Sequence, residues 1–455
     1  MTQGRYGTLL LVLVDIVCVF VVFNFVAWTR NLVHVDSLIV GPLYLPVLMH
    51  VLAVYLIDGY NPRTDMMSVT YTSLHTIALF AVALVTLLLT FVFIPAGFTL
   101  QSSRFVLFGS CVLLIPVTLI YRRILYQRQA ARRQQRYFMF LGTPESCAAF
   151  RDECQRNHMT QSVLYATNES FVAGRTAASF STPPLGDAAH YLEEYQDSLD
   201  AIILRESSHE LPADVAQSLM TLHFSGVPTY TLELFHEVYW RKIPLYRLNQ
   251  TWLFQEGFQI AREPVFERLK RLTDILLAAV GLLLALPFLP LVALVIWIGD
   301  RGPVFFRQPR VGKNRVTFQI VKLRTMRVQH DGAVYTGAND SRITAIGRFL
   351  RNTRLDEVPQ LWNVLVGDMS LIGPRAEWSK LVDDYERQIP CYHFRHLVKP
   401  GITGWAQVNY PYGANLEDTL HKLEYDLYYI RYFSFVLDAS IVLKTIQIML
   451  FGKGR

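Results

Sequence analysis

Four apolar runs, near residues 8–28, 39–57, 73–96 and 105–121, approach the roughly 20 residues that a helix needs to cross a bilayer. In lipid a backbone must bond to itself, so residues 1–121 are predicted to form a four-helix transmembrane unit. The first run lacks a small-residue cleavage site and reads as a retained anchor. A hydrophobic fraction of 52% is too high for an ordinary soluble enzyme and too low for a transporter buried throughout in lipid, so a water-facing part is expected as well. The five cysteines have no Cys-x-x-Cys spacing, which leaves no disulfide framework or zinc site to expect.

Residues 122–136 form a basic juxtamembrane linker carrying Arg122, Arg123, Arg128, Arg132, Arg133 and Arg136, against Arg30 and Arg104 in the two opposite loops. This asymmetry predicts that the linker and the N-terminus are cytoplasmic. Beside a span such a run suits lipid headgroups, and no nucleic-acid partner is expected. Asp15 and His75 fall inside apolar runs, where an ionisable group is either functional or a helix-helix hydrogen bond.

From 137 to 250 the pattern changes to short β-prone runs (Tyr137–Leu141, Ser162–Tyr165, Ala201–Leu204, Pro228–Leu232) between polar helical stretches. This is the pattern of a Rossmann-like α/β domain with a parallel sheet. The first strand ends in Gly142-Thr143-Pro144, where a dinucleotide fold would carry three glycines; two are missing, so bound NAD is not expected. A membrane-anchored nucleotide-sugar dehydratase or epimerase would need that fingerprint and a Tyr-x-x-x-Lys pair, and 137–265 has neither.

A fifth apolar run, within 266–299, is long enough to cross, but its flanks argue against it. Arg268, Lys270 and Arg271 precede it, and Arg301, Arg307 and Arg310 follow, so both ends carry the cytoplasmic signature. Pro287 and Pro290 lie at its middle, where each removes a backbone donor, and a re-entrant membrane helix is predicted. A kinked full span is the alternative.

Residues 300–455 are dense in cations, carboxylates and glycine turns. Lys322 and Arg324 alternate on one face of a short strand and could clamp neighbouring phosphates. Arg351 precedes the pair Asp356-Glu357 at a helix start, where the positive end of the dipole would keep Asp356 ionised and nucleophilic. Glu357 could then move protons or hold a metal, although an Asp-Glu pair at a helix start is also an ordinary cap. A turn with Gly367 and Gly373 ends in Arg375, which could grip two phosphate oxygens while Gly373 lets backbone approach.

In this order the clusters resemble the bacterial sugar transferase family, the monotopic polyprenyl-phosphate phosphoglycosyl transferases. The resemblance runs through Lys322-Leu323-Arg324-Thr325-Met326, Leu355-Asp356-Glu357-Val358-Pro359-Gln360-Leu361, Gly367 to Arg375 and Lys399-Pro400-Gly401-Ile402-Thr403-Gly404-Trp405. It implies an undecaprenyl-phosphate glycosyl-1-phosphate transferase in a bacterial inner membrane, multi-pass, with a cytoplasmic and mainly helical catalytic domain at 300–455. The N-terminal part is similar to the long form of the family, and the tail to exopolysaccharide-type members. The implied partners are a UDP-hexose, undecaprenyl phosphate and inner-membrane lipids, and a homodimer is left open. Asp356 would attack the β-phosphorus and expel UMP, Glu357 would complete the carboxylate dyad, and Mg2+ would sit with Asp356. Lys322, Arg324, Arg351 and Arg375 would be phosphate or active-site contacts. The implied role is the first step of exopolysaccharide or O-antigen synthesis, with glucose before galactose or an N-acetylated hexosamine. A non-catalytic assembly scaffold is the alternative from another class.

Two positions depart from the family pattern. Leu286 precedes Pro287 where a serine is usual, and Ala376 follows Arg375 where a proline is usual. Beyond the catalytic motifs, 433–451 reads as an interfacial helix or as a core helix of the catalytic domain.

Overall fold

The computed structural model describes residues 2–32, 43–60, 64, 66–93, 104–133, 136–157, 159, 161–167, 185–205, 211–245, 264–327, 342–411, 413 and 415–451. The chain forms two compact units, residues 1–134 with 434–444 and residues 135–433 with 445–455.

The first unit contains α1 (Thr2–Thr29), α2 (Tyr44–Leu56), α3 (Val69–Phe93) and α4 (Arg104–Arg133). Within them Leu9–Thr29, Tyr71–Thr90 and Arg104–Arg128 are long and apolar enough to cross a bilayer. α2 differs from the expected span. Its 13 residues reach only about 20 Å, against about 30 Å of hydrocarbon. The expected beginning of that span, 39–42, and the end of the third, 94–96, lie outside the described residues.

The predicted linker also behaves differently, because α4 continues unbroken through it to Arg133. Arg122 does not face headgroups. It is fully buried and paired with Asp15, 107 positions away in sequence. Tyr60 donates to the same carboxylate at 2.6 Å, Tyr121 donates to its other oxygen, and His50 lies 3.5 Å off. Arg122 also donates to the Gly59 carbonyl at 2.6 Å. Asp15 thus joins α1, α2, the turn after α2, and α4, and His75 bonds Thr118 at 2.8 Å to tie α3 to α4. Both ionisable residues are held in helix-helix contacts.

In the second unit five parallel strands take the order β3-β2-β1-β4-β5. They are β1 (Tyr137–Leu141), β2 (Val163–Thr167), β3 (Leu185–Asp187), β4 (Leu199–Leu204) and β5 (Thr229–Thr231), with α5 (Pro144–Arg156), α6 (Ala188–Glu194) and α7 (Ala213–Phe224) between them. Alternation along β1 sends Phe138 and Phe140 to a core with Phe150 and Phe235, and Met139 and Leu141 to a core with Ile202 and Leu219. The edge strand β3 was not anticipated, because Leu-Gly-Asp carries no apolar run. A Cβ on Gly142 would lie 2.5 Å from the Ser146 hydroxyl. The glycine lets the chain turn closely into α5, whose cap Thr143 accepts the Ser146 N–H.

After β5, α8 (Leu232–Phe235) runs into a π-helical turn, His236–Trp240, which ends at Arg241 in the left-handed region with φ 51°. This turn carries a buried polar junction. His236 meets Glu153 at 2.8 Å, and Lys242 lies 3.2 Å from Glu153 and 3.6 Å from Glu424. Ile243 and Leu245 follow directly and enter a core with Tyr385, Tyr392, Leu423 and Leu427.

The remainder of the unit begins with α9 (Pro264–Ala285) and α10 (Leu289–Asp300), two apolar helices bent by 62° at the break between them. Pro287 occupies the break, and Pro290 lies in the first turn of α10, where a missing N–H costs little. Next come the antiparallel hairpin β6 (Phe305–Val311) and β7 (Thr317–Leu323), α11 (Ala345–Thr353), a 3-10 turn Leu355–Glu357, and α12 (Gln360–Val366). They are followed by β8 (Ser370–Ile372), α13 (Ser379–Gln388), β9 (Gly401–Thr403), α14 (Trp405–Asn409), α15 (Leu416–Tyr432) and α16 (Phe435–Phe451). β8 and β9 pair in parallel. The start of α16 groups with the four-helix unit, its Ser440 hydroxyl bonding Ser73 on α3 at 2.8 Å. That stretch packs on protein, where an interfacial or catalytic-core helix was expected.

The Asp15 cluster yields a stability prediction. Arg122→Leu leaves a buried carboxylate without its cation and should cost about 3–5 kcal/mol. Asp15→Asn combined with Arg122→Leu should recover most of it. Thermal unfolding in detergent micelles measures both, and an unchanged midpoint for Arg122→Leu would refute the reading.

Candidate active site

Glu357 is the centre of the site. Lys322, projecting from β7, donates to its Oε1 at 2.8 Å, and Arg375 reaches the same oxygen at 3.4 Å. Arg354 stands 3.8 Å from Oε2. These cations come from three separate segments. Arg354 sits in the left-handed region with φ 59°, uncommon for a residue with a Cβ, and reverses the chain from α11 straight into the turn bearing Asp356 and Glu357.

The adjacent carboxylates are driven apart in acidity. Burial pulls the Glu357 pKa up, but Lys322 and Arg375 pull it down further, to about 2. Asp356 shifts the other way, raised from 3.8 by burial and then by the Glu357 charge, with Lys322 and Arg351 opposing. Burial lowers the Lys322 pKa and Arg375 adds to the effect, while Glu357 resists. A helix dipole was expected to keep Asp356 ionised. Asp356 lies in one 3-10 turn, and the following α12 has only seven residues. Glu357 is the largest charge acting on it, ahead of Lys322 and Arg351. Glu357 is a fixed anion with both oxygens engaged, whereas Asp356 makes no ion pair within 4 Å among the described residues and is only half-buried.

The remaining expected residues are placed as follows. Arg351, on α11, donates to the Thr325 hydroxyl at 2.9 Å and acts on Asp356 through its charge. Arg324 follows β7 and is buried, its guanidinium packed where a Cβ on Gly302 would lie 2.0 Å away. Gly373 serves backbone packing: its Cβ would lie 2.5 Å from the Lys399 carbonyl, and Gly401 and Gly404 close on it in turn. That contact by itself requires a glycine here. Ala376 is buried and its carbonyl accepts from Arg310 at 3.0 Å, so the turn is held without the usual proline.

Several residues that organise the site were not anticipated. The Asn363 amide donates to the Gln319 carbonyl at 2.8 Å and accepts the Val321 N–H at 3.1 Å, standing in for a neighbouring strand beside β7. Its own carbonyl receives the N–H groups of Gly367 and Asp368. This one buried amide fixes α12, and hence the Asp-Glu turn, against the strand bearing Lys322. From α9, Arg271 caps the Val364 and Leu365 carbonyls at the end of α12, and Asp274 accepts the Leu371 N–H at 3.0 Å. A polar amide between Trp362 and Val364 was the available signal for Asn363. For Arg271 and Asp274 the spacing of three residues on one helix face was the signal.

Among the described residues no group of three or more His, Cys, Asp or Glu side chains could hold a metal. A half-buried carboxylate such as Asp356 suits Mg2+ bound mainly by substrate phosphates, which needs only one or two protein carboxylates.

Glu357→Gln tests the ion cluster. It should destabilise the protein by about 3 kcal/mol, since Arg375 and Arg354 are partly solvated. The gap from wild type should be full above pH 4.5 and close as pH falls toward about 2, where Glu357 itself takes a proton. Unfolding midpoints across that range measure it, and a gap that persists at the acid end would count against the cluster.

Residues 265–452 match the family model described as "Bacterial sugar transferase". A UDP-N-acetylgalactosamine-undecaprenyl-phosphate N-acetylgalactosaminephosphotransferase of Aeromonas hydrophila is 38% identical over 257 residues, 56% of this chain and 60% of the relative. A UDP-glucose:undecaprenyl-phosphate glucose-1-phosphate transferase of Escherichia coli (strain K12) is 46% identical over 184 residues, 39% of each chain. The chain therefore spans less than two thirds of the length of these two relatives. An exopolysaccharide production protein PSS of Rhizobium leguminosarum bv. phaseoli is 42% identical over 195 residues, 41% of this chain and 98% of that protein. With 98% of that relative matched at 42% identity, and with Lys322, Asp356, Glu357 and Arg375 inside the residues that match the family model, the chain belongs to the bacterial sugar transferase family.

Proposed function

We propose that this protein transfers a hexose-1-phosphate from a UDP-sugar to undecaprenyl phosphate through a covalent phosphosugar on Asp356. The observation that carries the proposal is the unequal carboxylate pair: Glu357 is locked as an anion by Lys322, Arg375 and Arg354, while Asp356 is the more basic and makes no ion pair within 4 Å among the described residues. An Asp356 oxygen attacks the β-phosphorus, and the bond between that phosphorus and the bridging oxygen breaks to release UMP. A phosphate oxygen of the polyprenyl acceptor then attacks the same phosphorus and breaks the acyl phosphate bond, which restores the carboxylate. Two displacements at one centre replace a single encounter of two anions. Lys322 and Arg375, already within reach of Glu357, supply positive charge where the diphosphate would lie, and Arg351 supports it beside Asp356. Asp356 would hold Mg2+ jointly with the donor's phosphate oxygens, and such an ion neutralises charge on the departing phosphate.

The apolar helices support a membrane location, and the basic flanks of α9 and α10 support a re-entrant course with the catalytic part in the cytoplasm of a bacterial inner membrane. The Rossmann-like domain and a homodimer have no part in the chemistry proposed. Relatives are named for glucose and for N-acetylgalactosamine transfer. Glucose remains the first candidate, with the N-acetylated hexosamine next, in exopolysaccharide or O-antigen synthesis.

Asp356→Asn should lower transfer by at least about three orders of magnitude, because a carboxamide is a very poor nucleophile. Wild-type enzyme given donor without acceptor should release one UMP per chain and gain a phosphosugar mass on the peptide containing residue 356. Retained activity in the variant would favour a scaffold role. For topology, cysteines at 268 and 301 in a background lacking the native five should both resist an impermeant maleimide until the cells are permeabilised. Labelling of one alone in intact cells would indicate a full crossing.

A further inference from the structure

We infer that Arg395 is a positioning residue for Arg375, holding the peptide from which that guanidinium is aimed at the donor diphosphate; this rests on the transferase reading above. Arg375 contacts Glu357 through one long bond of 3.4 Å, and its side chain is 36% exposed. The peptide from which it projects is part of what aims it. Four successive carbonyls of that backbone are each captured from a different place. The Gly401 N–H takes Pro374 at 2.9 Å, Arg395 takes Arg375 at 3.0 Å, Arg310 takes Ala376 at 3.0 Å, and the Val311 N–H takes Glu377 at 3.1 Å. Arg395 is the residue that takes the carbonyl of Arg375 itself.

Arg395 is buried and its fork is fully directed. One amino group donates to the Tyr392 hydroxyl, and the other donates both to the Arg375 carbonyl and to Asp426 on α15 at 2.9 Å. The guanidinium carbon lies 4.9 Å from the centre of the Tyr392 ring. A planar group is needed to reach three acceptors in different directions at once, and an ammonium on a flexible stem does not reproduce it. A buried ion pair adds little stability over an apolar pair of equal volume, so stability alone does not account for the arrangement. What Arg395 and Asp426 provide is a fixed path from α15 to the peptide of Arg375.

A double-mutant cycle on the full chain in detergent tests this, using Arg395→Lys, Arg375→Ala and the pair, with turnover and donor KM measured for each. Arg395→Lys should lower turnover about 10- to 100-fold, the scale of a misplaced active-site group, with donor KM within about threefold. In the Arg375→Ala background the same change should cost less than about twofold. Equal losses in both backgrounds would overturn the inference, as they would mean Arg395 acts on the whole fold. If Arg395→Lys does not fold, Tyr392→Phe removes one of its acceptors at nearly constant volume and goes through the same cycle, with a loss of about 3- to 10-fold expected. Wild-type protein inert with every UDP-sugar would sink the transferase reading. The inference falls with it in that case, whereas equal losses in an active enzyme would overturn the inference alone.

Discussion

A carboxylate held away from water keeps its charge only if cations surround it, and Glu357 meets this condition with Lys322, Arg375 and Arg354. Those residues come from a strand, a turn after a second strand, and a left-handed residue at a helix end. The module must fold so that all three converge. Asn363 sets the distance between β7 and α12, Arg395 holds the arginine turn, and Arg354 reverses the chain. With the anion satisfied, burial first and then the negative charge of Glu357 make Asp356 the more basic of the two.

The bent helix pair is part of this architecture and not only an anchor. α9 presents long apolar side chains outward, Leu276, Leu277 and Leu283 among them, yet Arg271 and Asp274 reach from the same helix into the catalytic part. Arg271 closes the end of α12 and Asp274 holds β8, so one apolar helix fixes the elements on either side of the glycine turn.

Much of this was legible in the sequence because the constraints are local. Apolar run length, proline at a break, strand alternation along Tyr137–Leu141 and the order of the catalytic motifs follow from residues close together in the chain. Interactions between distant residues were not legible. Arg122 looked like one more headgroup contact, since counting charges cannot reveal an Asp15 partner more than a hundred positions away. Asp356 was expected to be kept ionised by a helix start; it lies in a single 3-10 turn, where burial first and then the adjacent Glu357 charge raise its pKa. β3 escaped because three residues with one leucine carry no period. Arg354 carried no signal, since nothing in its type announces a left-handed conformation.

The π-helical turn at His236–Trp240 and the lysine after it have a structural consequence for the architecture. Glu153 in the sheet domain and Glu424 on α15 share the one ammonium of Lys242, and Ile243 and Leu245 complete the apolar core around Tyr392. Cutting the chain at the start of the family match would strip a counter-ion from one buried acid and open a hole in the centre of the enzyme. Arg431 and Tyr432 also bond Glu237, and Trp405 donates to the Arg241 carbonyl, so any transplanted module must carry the π-helical turn together with the lysine.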